Sequence, residues 1–246
     1  MTKKILKKAL KVCACVLGGI LLLPVLVIVV LNVAKFAIYH DYYSIKTNVC
    51  TNPGLGDNFV CQGIAVYGET EKILVSGYMT DHSASRIYIT DPEDNAYYVT
   101  LAKANGDAFT GHAGGIAICG DFVYIANGSK LHAIAIADLL AAPAGSSVRI
   151  NESIPVNNNA SFVYADEQNI YVGEVHDGGK YITEHPYETP DGTYYAIVSR
   201  YPREEIERYD KTDAPSVTPD KIYSIRNKEI SNQNHPPHKS KFNTER

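Results

Sequence analysis

Apolar residues fall into two patterns along the chain. From Val12 to Leu31 the run VCACVLGGILLLPVLVIVVL contains no charged residue. Its length, about 20 residues, is what an α-helix needs to cross a hydrocarbon core. Further on, apolar residues come in short runs of roughly four to eight, rich in β-branched and aromatic side chains and bounded by Gly, Asp and Asn. That is the pattern of strands joined by tight turns. The chain is therefore expected to be one N-terminal transmembrane helix followed by an all-β body.

The strand-like runs recur in order. GIAVYG at Gly63–Gly68 aligns with GIAICG at Gly115–Gly120, an offset of about 52 residues. KILVSGY then falls on FVYIANG, and SRIYITD on KLHAIAIAD. A weaker third copy, ASFVYADEQNIYVGEVHD, has a first strand at Phe162–Tyr164 and a second at Ile170–Glu174. Its third strand is YYAIVSRY, Tyr194–Tyr201, and its last is KIYSIRNK, Lys221–Lys228. YGETEK, CGD and ADEQN read as hairpin turns, where Gly and Asx residues supply the backbone geometry. LLAAPAGSS is a short helical turn or a loop. Glu174–Thr193 is an insertion between the second and third strands of the third copy. The offset lies near the roughly 40–50-residue period of propeller blades. The predicted body is thus a β-propeller-like array of about three four-stranded blades. Propellers close with about 4–8 blades, so this array is expected to be incomplete and to leave edge strands and an apolar blade face open.

CQGIAVYGETEKILVSGY, HAGGIAICGDFVYIANG and FVYADEQNIYVGE together resemble the bacterial β-propellers grouped with the quinoprotein-amine-dehydrogenase-like and YVTN/lactonase-like superfamilies. The resemblance spans roughly residues 60–225. It implies the fold more than the activity, because those superfamilies hold dehydrogenases, lactonases and many non-catalytic surface proteins.

Charge sharpens the division of the chain. Six of the 23 Lys and Arg residues lie in residues 1–40, which contain no acidic residue. The other 17 face all 27 Asp and Glu, so the body is near −10 although the whole chain is −4. An acidic body disfavours nucleic acid. The lysines on the N-terminal side of the apolar run place that terminus in the cytoplasm and the body outside, in a single-pass cell-membrane protein. A cleaved signal peptide is the competing reading. Its apolar region would be shorter, roughly 7–15 residues, and would end in a small-x-small site; NVAKFAIYH has no A-x-A. The expected boundaries are a cytoplasmic basic segment at 1–11 and a transmembrane signal anchor at 12–34. A linker with room for an N-terminal strand follows at 35–60, then a partial propeller at 61–226 and a disordered tail at 227–246.

Candidate chemistry is sparse. His112 opens the second copy near the mouth expected for a propeller channel, where it is either a base or metal ligand, or a hydrogen-bonded histidine linking two blades. Glu174 and His176, two apart, would face the same way on a strand. With His185 they make a ligand cluster of carboxylate and imidazole that suits several divalent metals, although which metal is unknown. Cys50 and Cys61 bracket TNPGLGDNFV and either form a disulfide in an oxidising compartment or remain free. Cys119 reads as a small core residue. PYETPDGTYY, Pro186–Tyr195, is an aromatic, turn-rich stretch that either covers a blade edge or presents a surface to a cell-surface protein or glycan. There is no G-x-S-x-G elbow, P-loop or CxxC motif, and no cofactor is implied. The expected function is a membrane-anchored, extracytoplasmic binding or scaffold protein. The alternatives are a lactonase-like or quinoprotein-like propeller enzyme, or a truncated, non-functional fragment of a larger propeller.

Overall fold

The computed structural model describes residues 3–46, 51–68, 70–93, 95–176, 185–190, 192–210 and 215–225. The chain divides into two compact units, Met1–Val49 and Cys50–Arg246.

The first unit is helical. α1 runs from Lys3 to Ile38 with Pro24 inside it, and α2 from His40 to Ile45. Side chains such as Leu21, Leu26, Val30 and Val33 are exposed along α1. By length and composition, its Lys11–Ile38 stretch can cross a membrane. The helix is longer than the 12–34 span expected, and it continues into the segment expected to be a linker. Residues 40–45 are helical too, and among the described residues that segment carries no strand before Phe59. Aromatic packing of Phe36 on Tyr43, with ring centroids 4.3 Å apart, and the Tyr39 N–H to Lys35 carbonyl bond help to hold the turn between α1 and α2.

The second unit is built from small antiparallel sheets. In the first sheet β1 (Phe59–Tyr67), β2 (Lys72–Met79), β3 (Arg86–Thr90) and β4 (Ala96–Ala102) run as a meander. The second sheet begins with β5 (Gly115–Cys119) and β6 (Phe122–Ala135). After β6 come α3 (Ile136–Ala141) and β7 (Ser147–Arg149), and β7 adds to the first sheet parallel to β4. β8 (Glu152–Ala160) returns to pair with β6. The third sheet is again a four-stranded meander. It consists of β9 (Phe162–Ala165), β10 (Asn169–Gly173), β13 (Ala196–Pro202) and β14 (Lys221–Ile225). A small hairpin, β11 (Tyr187–Thr189) with β12 (Gly192–Tyr194), lies in the expected insertion between β10 and β13. α4 (Arg203–Glu207) follows β13 directly. The tail expected at 227–246 lies outside the described residues.

β6 is 14 residues long, about 46 Å if straight. Yet the Ile136 N–H donates to the Asp121 carbonyl at 2.9 Å, so the segment doubles back on itself. Gly128, with φ 59°, sits at the fold, where glycine takes the left-handed backbone without a Cβ clash. Residues of the two arms share faces accordingly. Val123 and Ile134 join one core, and Tyr124 and Ala133 the other. The arms match the separate strands expected from FVYIANG and KLHAIAIAD, and they make the second sheet a four-strand meander as well.

The three sheets stack face to face. One core lies between the first and second sheets, with Leu74, Ile89 and Leu101 against Ile116, Val123 and Ile125. The other lies between the second and third, with Ala117, Tyr124 and Leu131 against Val163, Ile170 and Tyr201. β5 therefore alternates within five residues, Ile116 towards one neighbour and Ala117 and Cys119 towards the other. Period-two side-chain geometry makes this possible, and a sheet covered on both faces demands it. The first strands of the three sheets, β1, β5 and β9, lie side by side. A Cβ on Gly63 would stand 2.7 Å from the Ile116 nitrogen, and one on Gly115 would stand 2.7 Å from the Val163 nitrogen.

Gly115→Ala must push two backbones apart. It is expected to destabilise the protein by about 1–3 kcal/mol, the usual cost of overpacking. Gly68 has open space around its Cβ position, and Gly68→Ala is expected to be neutral or stabilising by up to about 1 kcal/mol. Urea unfolding of the detergent-solubilised full chain, followed by circular dichroism, compares the two.

Candidate functional site

The predicted site residues gather where β5 and β9 begin. His112 lies just before β5 and is exposed. Its backbone N–H donates to Asn127 Oδ1 at 2.8 Å, and its ring packs on Tyr78 of the first sheet with centroids 4.7 Å apart. It thus ties the edge of β2 to the fold of β6, as a linking histidine would. Nearby, the Gly114 N–H donates to the Ala126 carbonyl, and the missing Cβ of Gly114 leaves room for the Ser161 carbonyl. Ser161 in turn donates its N–H to Gly173, and its hydroxyl accepts from the Val175 N–H. One run of contacts therefore leads from Tyr78 and His112 through Ser161 to Gly173 and Val175, which flank Glu174.

Glu174 is the buried member of the group, with its carboxylate fully removed from solvent. Among the described residues, the partners of that carboxylate include two groups. The Asn159 backbone N–H donates to Oε2 at 3.2 Å, and His185 Nδ1 lies 3.1 Å from the same oxygen. Burying a carboxylate demands such partners. His176 does not join them. β10 ends at Gly173, so the two-residue alternation of a strand no longer applies at Glu174–His176. The His176 ring instead stacks on Tyr195, with centroids 4.9 Å and planes 22° apart. Among the described residues, then, Glu174 pairs with His185 and His176 stacks on Tyr195. Among the described residues, no three His, Cys, Asp or Glu side chains converge as metal ligands. Beneath the pair, the Tyr201 hydroxyl donates to Asn158 Oδ1 at 2.6 Å and accepts from the Asn157 N–H. Burial pushes the Tyr201 phenol up to about 12, so it stays a donor at any physiological pH.

A second polar pair escaped sequence reasoning. His132 and Ser153 face each other across β6 and β8, with Nδ1 to Oγ at 2.9 Å. They line a cavity of about 620 Å³ with Phe109, Lys103, Lys130 and Asn127. The distance is that of a nucleophile and its base. Burial, helped by the Lys130 charge, pushes the His132 imidazole down to about 4, which makes it a poor base at neutral pH. Phe109 packs edge-on against it, and the pair behaves as a satisfied cross-strand contact. Its only sequence signal is His132 within the alternating run KLHAIAIAD, where it takes a core position.

Of the cysteines, Cys61 is an exposed free thiol that accepts from Asn52 Nδ2 at 3.2 Å. Cys50 lies outside the described residues. Cys119 is buried, and that burial pushes its thiol up. No protein family matches the chain, and no curated protein matches its sequence.

Two outcomes follow from these pairs. His185→Ala is expected to cost about 1.5–3 kcal/mol, the worth of a hydrogen bond to a charged group. Glu174→Gln should cost less, because its amide oxygen still accepts from Asn159; urea midpoints decide. The second concerns pH. The unfolded chain protonates His132 near 6.5, before the folded protein does near 4. Folding therefore loses stability as pH falls from about 6.5 to about 4, by on the order of 3 kcal/mol. His132→Phe should flatten the unfolding midpoint across that range relative to wild type.

Proposed function

We propose that this is a membrane-anchored, extracytoplasmic binding protein with a propeller-like body. Its ligand surface is the end of the stacked sheets carrying Tyr78, His112, Glu174, His185, His176 and Tyr195. The carrying observation is the run of contacts from Tyr78 and His112 through Ser161 to the residues that flank the Glu174–His185 pair. Each of the polar groups is held by a neighbour, so the surface is organised before any ligand arrives, which lowers the entropy lost on binding. Tyrosine and histidine rings flank a buried carboxylate and backbone amides there. Rings offer flat apolar faces, and the polar groups orient hydroxyls, the combination that suits a glycan. The aligned GIA strands and the face-to-face stacking support the propeller reading. The lysine-flanked apolar helix supports a cytoplasmic N-terminus.

Binding of the full chain to a panel of cell-surface glycans tests this. Tyr195→Ala, at an exposed position, is expected to lower affinity at least tenfold with the unfolding midpoint unchanged. Lactone or ester turnover that disappears in Glu174→Gln would instead establish an enzyme. Orientation is read from Cys61. A membrane-impermeant maleimide should label intact cells, before or after mild reduction, and the label should fall in Cys61→Ser. Labelling only after reduction would report a bridge from Cys61 to Cys50. No labelling of intact cells in either state overturns the extracytoplasmic placement.

A further inference from the structure

Aromatic residues gather on one side of the chain where α1 passes into α2. Tyr39 follows Phe36 by three residues, and Tyr42 and Tyr43 follow Tyr39 by three and four, the spacings that share a helix face. Helical hydrogen bonding continues through the junction, from the Tyr39 N–H to the Lys35 carbonyl and from the Tyr43 N–H to the Tyr39 carbonyl, each at 3.0 Å. The rings draw together. Tyr43 lies 4.3 Å from Phe36 and 5.2 Å from Tyr42 between centroids, and Lys35 Nζ stands 5.8 Å from the centre of the Tyr43 ring. Phe36, Tyr39 and Tyr42 are more than half exposed. His40, Asp41 and Ser44, all exposed, take the other side of the helix.

Resting on the membrane-anchored reading above, we propose that this cluster is an aromatic collar that seats α1 in the headgroup layer of the lipid leaflet farther from the N-terminus. Its position along the helix selects lipid as the partner. Lys11 and Lys35 bound the uncharged stretch of α1. Along an ideal helix axis they are about 36 Å apart. The hydrocarbon core is about 30 Å thick, and about 40–45 Å with its headgroups. Both ammonium groups therefore reach headgroup level at once, and the rings gather at the level of Lys35. A tilt of about 20° shortens the span to about 34 Å and leaves the match intact.

The side chains suit that layer. Tyrosine joins a flat apolar body to a polar tip, which is why it settles at the boundary between lipid and water. Three of the four rings carry a hydroxyl, which a headgroup layer hydrates and a dry protein contact would have to pair. The Lys35 ammonium beside Tyr43 is placed to meet a lipid phosphate. The side of His40, Asp41 and Ser44 is left to water.

The chain contains no tryptophan, so an introduced one reports alone. Full-length Tyr39→Trp, Tyr42→Trp and Ser44→Trp chains are reconstituted in phosphatidylcholine vesicles that carry bromine either high or low on the acyl chains. In Tyr39→Trp and Tyr42→Trp, fluorescence should be quenched at least twofold more by the high bromines than by the low ones. Aqueous acrylamide should quench Ser44→Trp at least twofold more than either. Equal access of acrylamide to all three variants overturns the collar. Stronger quenching of Tyr39→Trp and Tyr42→Trp by the low bromines overturns the depth assigned to it. Shielding from acrylamide without any quenching by bromine means that protein covers the rings, and overturns lipid as the partner. Alkaline carbonate extraction of the same vesicles separates this proposal from the reading it rests on. A chain that stays with the lipid while the collar fails overturns the collar alone. A chain that carbonate releases overturns the membrane anchor as well.

Discussion

The spacing between β1, β5 and β9 is set where Gly63 meets Gly115 and Gly115 meets Val163. With no side chain at either glycine, one backbone rests directly on the next. A methyl group at either position would lie within 3 Å of a main-chain nitrogen, and main chain cannot turn aside as a flexible side chain can. That close approach lets the faces of the sheets interdigitate into two cores rather than three separate exposed surfaces. It also explains the composition of β5, where small Ala117 and Cys119 face one neighbour and larger Ile116 faces the other.

The polar end of the stack depends on the same spacing. His112 reaches both Tyr78 and Asn127 only because the first and second sheets are held in contact. The Glu174 carboxylate is dry, with the Asn159 N–H of β8 and the His185 ring against it. Burial then selects its partners, since a carboxylate without them would carry a desolvation cost far above any packing gain. The same force acts with opposite effect at His132. There a cavity wall and a neighbouring ammonium keep an imidazole neutral, and the Ser153 hydroxyl satisfies it.

Much of the architecture was legible along the chain. Twenty uncharged residues can satisfy their backbone in lipid only as a helix, so α1 needed no tertiary information, although its ends did. The strands showed through alternation and through Gly and Asx turns. Even the doubled-back β6 was marked by Asn127-Gly128 between two apolar runs. The pairing of Glu174 was less legible. Two-residue spacing linked it to His176, but the strand stops one residue too soon for that rule, and the partner proved to be His185, eleven residues on. His132 was invisible as a polar site because alternation marks a core position without saying that a serine stands opposite it.

The division has a physical basis. Local geometry is dictated by neighbours within a few residues, and the amino-acid sequence by itself determined the helix, the strands, the turns and the acidic character of the body. Contacts between sheets join residues about 50 positions apart, and only the folded stack decided them. It made Ile116 a core residue and left the aligned Ile64 open. It turned His112 into a tie between two sheets. It matched the buried carboxylate with an imidazole, because removing charge from water forces a pairing that no local spacing rule encodes.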